Sequence, residues 1–415
     1  MAIDVDEWEI EEETYLKGRI LAGGVIFSPK SLEVAIAQKA KGQNRVYNMP
    51  VNAEVSRPQE LCITGNNHYE VVVSCVAPNG NNDPIYLDAN IKGELIAIDN
   101  NKIIENVNCT FVQEPHYYSS KISNGDLVKK YVTSCGFDEF NIIPWKGCAI
   151  SKGCKFCGTN SFIDADSLNA VSLSKNFFSW QNIEKTYLNN LREAAMLAIN
   201  DGCYKEHVHI ILIAGNLSDT LLDAESEVFM QIANTIKDVI AKKTPEGIIL
   251  VVTPPIDTNI LYRMKESGIS TVVFNLEAAT RNAFKKYCPG KDHLGYDFFV
   301  ERLEKAVEIF GQGHAWTNFV LGLEPIQDLL TACTQLSRKG IICSANVLHL
   351  DKGNTLDCSV PAFLDIINFF YQLEEINKQY NYKPYYCAKA LRTSLSNEAY
   401  AGRITKRSES NEAKK

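Results

Sequence analysis

The sequence has no run approaching about 18 consecutive apolar residues, so no membrane-spanning helix is expected. Nor does it open like an export leader: Asp4-Val-Asp-Glu-Trp-Glu9 is acidic where a leader is basic and then apolar. There is no surplus of positive charge. The 42 Lys and Arg against 50 Asp and Glu leave a net −8, which argues against a broad nucleic-acid or anionic-membrane surface. A disulfide framework is also missing, because the thirteen cysteines are odd in number and irregular in spacing. These absences point to a cytoplasmic protein in a reducing compartment. No internal repeat is present. What remains is ordinary globular composition, 45% hydrophobic and 22% charged. A chain of 415 residues exceeds what one core fills, so one large domain with an appendage, or two domains, is expected.

Against that plain background, Cys148, Cys154 and Cys157 stand close together in the run Pro144–Gly158, spaced Cys-x5-Cys-x2-Cys. No fourth cysteine follows at zinc-finger spacing. Three thiolates can hold three irons of a [4Fe–4S] cube and leave the fourth iron open for a substrate or cofactor, whereas four would saturate the metal. Gly147 and Gly153 suit a loop that wraps an inorganic core. A zinc site completed by a distant histidine, or three unrelated thiols, is the competing reading. Cys62, Cys75, Cys109 and Cys135 contain no Cys-x2-Cys pair and read as buried apolar residues.

The texture of the chain changes near residue 136. Residues 1–135 show short β-type runs (Tyr69–Ser74, Glu94–Ile98, Lys130–Ser134) between turn clusters such as Pro78–Pro84, and read as a β-rich module. From 136 to 350 strands and helices alternate. Strands are expected at Phe140–Ile143, Val208–Ile213, Ile248–Val252, Thr271–Asn275, Trp316–Leu321 and Ser344–Leu348. Helices are expected at Ile183–Ile199, Glu225–Lys242, Asn259–Ser267, Asp297–Phe310 and Pro325–Lys339. In the second of these Val228, Ile232, Ile236 and Ile240 form an apolar stripe, and Gly268, Gly311 and Gly340 follow the last three as C-terminal stops. Such alternation gives a parallel sheet with right-handed crossovers. Six strands are too few for a closed eight-stranded barrel. The fold class is therefore α/β, a partial (β/α)6 barrel resembling a TIM barrel, with chemistry at the C-terminal strand ends. Residues 351–404 read as a helical and aromatic extension containing a helix at Pro361–Lys378, and 405–415 as a disordered tail.

With the cysteine loop after the first of six strands, residues 138–350 resemble the radical S-adenosylmethionine (SAM) superfamily. The family's commonest motif is Cys-x3-Cys-x2-Cys, and this loop carries two extra residues between its first two cysteines. The resemblance implies a cluster on Cys148, Cys154 and Cys157, with Phe156 near the adenine of SAM. It implies that Ala214-Gly215-Asn216, where the family usually has Gly-Gly-Glu, meets the methionyl amino group. Glu277, with Arg281 four residues on, would hold the ribose or carboxylate, and Val320, Gly322 and Glu324 in Phe319–Pro325 would lie by the adenine. Tyr287, Pro289-Gly-Lys291 and Arg302 are most similar to the biotin-synthase and aromatic-amino-acid-lyase branch. Asn346 and His349, ending the sixth strand, are candidates for substrate contact, with Asp351, Tyr385, Tyr386 and Arg392 behind them. The implied cofactors are a [4Fe–4S] cluster and SAM. The implied chemistry is reductive cleavage of SAM to a 5′-deoxyadenosyl radical, which abstracts hydrogen from a small organic substrate in a biosynthetic pathway. An external electron donor such as a flavodoxin or ferredoxin is the implied partner. A peptide- or protein-modifying enzyme is the alternative within the family, and a non-catalytic zinc or iron–sulfur protein the alternative outside it. No cobalamin-binding module is evident. Residues 1–135 are expected to serve recognition, shielding or dimerisation rather than radical generation.

Overall fold

A computed structural model describes residues 2–42, 57–150, 152–161, 170, 177–204, 208–240, 244, 247–350, 355–384 and 391–407. Asp351, Tyr385 and Tyr386 lie outside the described residues.

Six parallel strands form the body of the larger sheet, at Glu139–Ile142, His209–Ile213, Ile248–Val251, Ile269–Val273, Ala315–Leu321 and Ile342–Val347. They hydrogen-bond in chain order and remain open between the first and the last. Right-twisted strands joined by helical crossovers curl in this way, giving the partial barrel. The helices between them are Phe177–Asn200, Leu222–Ile240, Asn259–Glu266, Tyr296–Phe310 and Ile326–Ser337. The stripe of Val228, Ile232, Ile236 and Ile240 is buried as its spacing requires. Gly311 stops one helix with φ 101°, a conformation costly for any other residue, and its N–H returns to the Val307 carbonyl. A short helix at Arg281–Tyr287 was not legible in the sequence, because seven residues make too few turns to show a period.

Side chains alternate across each strand. Those facing outward join the main core beneath the helices. Those facing inward, Ile211, Ile249, Val273, Trp316 and Ile342, pack with Tyr382 into a separate apolar cluster at the barrel floor.

The remaining chain departs from the expected division. Thr133–Cys135, assigned by sequence to the N-terminal module, is an antiparallel edge strand of the barrel sheet, paired with Glu139–Ile142. The N-terminal residues form a second seven-stranded sheet, largely antiparallel, together with a helix at Glu12–Gly23. This sheet is fastened to the chain's far end. Ser74 N–H donates to the Arg392 carbonyl (3.0 Å), and one residue on, Val347 N–H donates to the Thr393 carbonyl (2.8 Å). The segment around 392 thus bonds the N-terminal sheet on one side and the sixth barrel strand on the other. Glu60, fully buried, gathers Lys41 Nζ (3.0 Å), the Gly136 N–H (3.0 Å) and the Arg392 guanidinium. Trp8–Ile10 pairs with Ile404–Lys406, so Thr405 and Lys406, expected in a disordered tail, are strand residues. Among the described residues no helix is long and apolar enough to cross a membrane.

Candidate active site

The three cysteines lie just past the C-terminal end of the first barrel strand, on a loop whose backbone is fixed without using the sulfurs. Gly147 turns the chain with φ 78°. Asn160 clamps Cys148 at two points, accepting its N–H at 2.7 Å and donating to its carbonyl at 2.8 Å. Ala149 N–H donates to the Asn216 carbonyl (2.7 Å), and Lys155 N–H to the Tyr287 carbonyl (2.9 Å). The loop is therefore tied to the segment after the second strand and to the end of the Arg281–Tyr287 helix. Cys148 and Cys154 are half-buried and Cys157 is exposed. Phe156 packs against the main core between the last two of them.

Ala214-Gly215-Asn216 follows the second strand as expected, but its backbone carbonyls serve the protein. Trp145 Nε1 donates to the Gly215 carbonyl (2.5 Å), and Ala149 takes that of Asn216. The Asn216 side chain is held between Glu225 Oε2 (3.1 Å) and Thr253 Oγ1 (3.0 Å). Glu225, which sequence reasoning passed over as the start of a helix, is buried behind it and also accepts the Leu217 N–H at 2.5 Å. Burial pushes its carboxyl up to about 8, against these donors. A Cβ on Gly215 would stand 2.4 Å from the Gly147 carbonyl oxygen and 2.7 Å from Cys148 Cβ, both in the cysteine loop. Gly215→Ala is therefore expected to displace the loop and lower bound iron and SAM affinity together, by at least about tenfold, as loss of outer support does in metal sites. Iron assay and SAM titration check this, and a variant with parent iron content contradicts it.

Glu277 sits at the end of the fourth strand with φ 67°, a strained conformation for a residue with a side chain. The surroundings enforce it: its N–H donates to the Asn318 carbonyl and its own carbonyl accepts from Val320 N–H, both at 2.9 Å. Its carboxylate is occupied by Lys291 Nζ (2.9 Å), which also reaches the Asn275 carbonyl (3.1 Å). The pair is 12% and 13% exposed, close to Cys154. Burial works against the Lys291 ammonium, yet Glu277, Cys154 and Cys288 together push its pKa up. Lys291 entered the sequence reading only as part of a family-like run, with no signal that it would meet Glu277.

Two expected residues lie apart from this cluster. Arg281 forms a two-point ion pair with Asp297, the side chains 70% and 71% exposed, so its fork is occupied at the surface. Glu324 accepts the N–H groups of Ala279 (2.5 Å) and Thr280 (3.0 Å) and the Thr280 hydroxyl, closing the start of the Arg281–Tyr287 helix. Val320 is buried on the fifth strand opposite Asn346. Gly322 turns with φ 119° against Pro361 and Leu348. Asn346 Oδ1 accepts the Thr393 hydroxyl (2.7 Å), and His349 is half-buried past the sixth strand. Arg392 pairs with the buried carboxylate of Glu60.

Above the apolar floor, the next inward positions on the last three strands are Asn275, Asn318 and Ser344. Asn275 Oδ1 and Ser344 Oγ are buried with no hydrogen-bond partner within the protein, an arrangement kept where a ligand supplies the partner. Cys148, Cys154 and Cys157 offer three thiols from one loop, a donor set that would leave one iron of a [4Fe–4S] cube uncovered.

No family model matches the chain. A bacteriochlorophyllide c C-7(1)-hydroxylase from Chlorobaculum limnaeum is 29% identical over 237 residues, 54% of this chain and 55% of its own length, so the match spans about half of that relative. A radical SAM methyltransferase from Sphaerobacter thermophilus aligns over 86% of this chain and 81% of its own at 11% identity, with a TM-score of 0.41. The coproporphyrinogen III oxidase of Escherichia coli, a radical SAM enzyme, aligns over 61% and 54% at 13% identity, with a TM-score of 0.36. A loop carrying three cysteines directly after the first strand of an open, six-stranded parallel barrel is the arrangement that the resemblance to the radical SAM superfamily leads one to expect.

Proposed function

We propose that the chain holds the cluster on Cys148, Cys154 and Cys157 and acts on a small organic substrate bound in the barrel lumen. The observation that supports this is the placement of the cysteine loop after the first strand of a barrel whose inward positions carry the unpaired Asn275 Oδ1 and Ser344 Oγ. When bound, the cluster and SAM supply a 5′-deoxyadenosyl radical that takes a hydrogen atom from the substrate. The protein's part is to orient and to exclude water. Gly215 lets the cysteine loop close on the second strand. The Lys291–Glu277 pair sets charge beside Cys154, and in this reading Glu277, fixed by its strained backbone, turns toward SAM when it binds. The floor of Val273, Trp316, Ile342 and Tyr382 keeps the lumen dry beneath the polar row. A polar substrate group would satisfy Asn275 and Ser344. An external one-electron donor such as a flavodoxin or ferredoxin completes the reaction, and exposed Cys157 gives it a short approach.

Anaerobic reconstitution tests the proposal. About four irons per chain and 5′-deoxyadenosine formed on reduction with SAM are the expected results. A colourless protein holding one zinc would overturn it.

A further inference from the structure

Two bands of side chains face the barrel lumen, one above the other. The lower band is apolar. Val273, Trp316 and Ile342 stand level on three neighbouring strands and pack with Ile211, Ile249 and Tyr382. Two residues further along each course come Asn275, Asn318 and Ser344, which face the same way because side chains alternate. Asn318 and Ser344 are paired directly in register. On the third strand Val251 stands level with Val273, and two residues past it Thr253 gives its hydroxyl to Asn216 Oδ1 (3.0 Å). The upper band is therefore Thr253, Asn275, Asn318 and Ser344, polar throughout and without a charge. Ser344 is only 5% exposed, and its Oγ, like Asn275 Oδ1, is buried with no partner in the protein. The charge that follows along the fourth strand is already matched. Glu277 pairs with Lys291 at 2.9 Å, and Lys291 gives a second hydrogen to the Asn275 backbone carbonyl (3.1 Å), not to its side chain.

We propose that this band selects a substrate whose buried end is uncharged and donates a hydrogen bond, as the N–H of an amide or the O–H of an alcohol does. The inference rests on the reading above that the lumen is the substrate site. Asn275 Oδ1 is an acceptor only, so its partner must bring the hydrogen. Ser344 can accept or donate, and so can answer the same group or an oxygen beside it. An ion placed here would leave water without meeting an opposite charge, a loss that one or two neutral hydrogen bonds do not offset. The apolar band beneath suits a hydrocarbon part of the same substrate.

The full chain, reconstituted and kept unreduced so that nothing turns over, is titrated with four probes of matched size: propionamide, 1-propanol, propionate and propylammonium. Binding is followed by ligand-observed nuclear magnetic resonance. The better of the two neutral probes is expected to bind at least about tenfold more tightly than either ion, and which of the two it is tells an amide from an alcohol. Asn275→Leu and Ser344→Ala, their folds checked by circular dichroism, are each expected to weaken that probe by about tenfold. Propionate or propylammonium binding as tightly as the better neutral probe overturns the proposal. So does a parent that binds neither neutral probe, or a folded variant of either kind that binds the preferred one as the parent does. The radical SAM reading fails by a different result, a parent that forms no 5′-deoxyadenosine when reduced with SAM, and the order of the four probes does not depend on it.

Discussion

Replacing any one of Cys148, Cys154 or Cys157 with alanine is expected to lower SAM cleavage by more than about 100-fold while leaving the fold in place. Each substitution removes one of three proposed ligands, a larger loss than the tenfold to 100-fold that outer-shell partners cost. The fold should persist because the loop's backbone is held by other groups: Asn160 on Cys148, the Asn216 carbonyl on Ala149, and the Tyr287 carbonyl on Lys155. Iron content, 5′-deoxyadenosine yield and circular dichroism on the same samples separate the two effects. Turnover retained in any of the three variants removes that cysteine from the metal site.

A fragment starting near residue 137 is expected not to fold. The sequence assigns residues 1–135 to recognition, shielding or dimerisation, and the structure ties them to the far end of the chain. Lys17 lies in the N-terminal helix and Glu398 near the C-terminus, yet they pair at 2.8 Å with both side chains at 0% exposure. Arg403 reaches back to Glu13 at 2.7 Å. Removing residues 1–136 would strand Glu398, Arg392 and Arg403 without their partners, and expose the apolar face that Trp8, Leu16 and Ile20 cover. Breaking one buried pair from one side costs roughly 3–5 kcal/mol, a large part of the stability of an ordinary domain. The single change Lys17→Met is expected to show a loss of that size in urea unfolding, with the midpoint lowered. A soluble fragment with a cooperative unfolding transition, or a Lys17→Met variant as stable as the parent, would show that the two ends of the chain fold separately.

The barrel was legible because its signals are local. All six strands and the helices between them fall within a few residues of where alternation and apolar stripes place them, and the glycine stops at 268, 311 and 340 have the positive φ their role requires. The place of the cysteine loop after the first strand was legible for the same reason, since spacing within one loop is a property of the sequence alone. What the sequence hid is long-range. Nothing local tells that Lys291 will meet Glu277, or that Glu225 will lie behind Asn216. Each contact joins segments that only the barrel's curl brings together. Arg281 and Glu324 illustrate the converse. Their positions near strand ends suited a cofactor, but an exposed partner for one and a helix start for the other had first claim on their side chains. The N-terminal division was lost because strand pairing between residues 8–10 and 404–406 leaves no trace in composition.

The most direct measurement is the electron paramagnetic resonance spectrum of the reduced, reconstituted protein with and without SAM. A cube held by three thiolates has one iron free to bind the amino and carboxylate groups of SAM, so its g values should shift when SAM is added. A fully loaded cluster whose spectrum is unchanged by saturating SAM would contradict an open iron, and with it the assignment of Cys148, Cys154 and Cys157 as the complete ligand set.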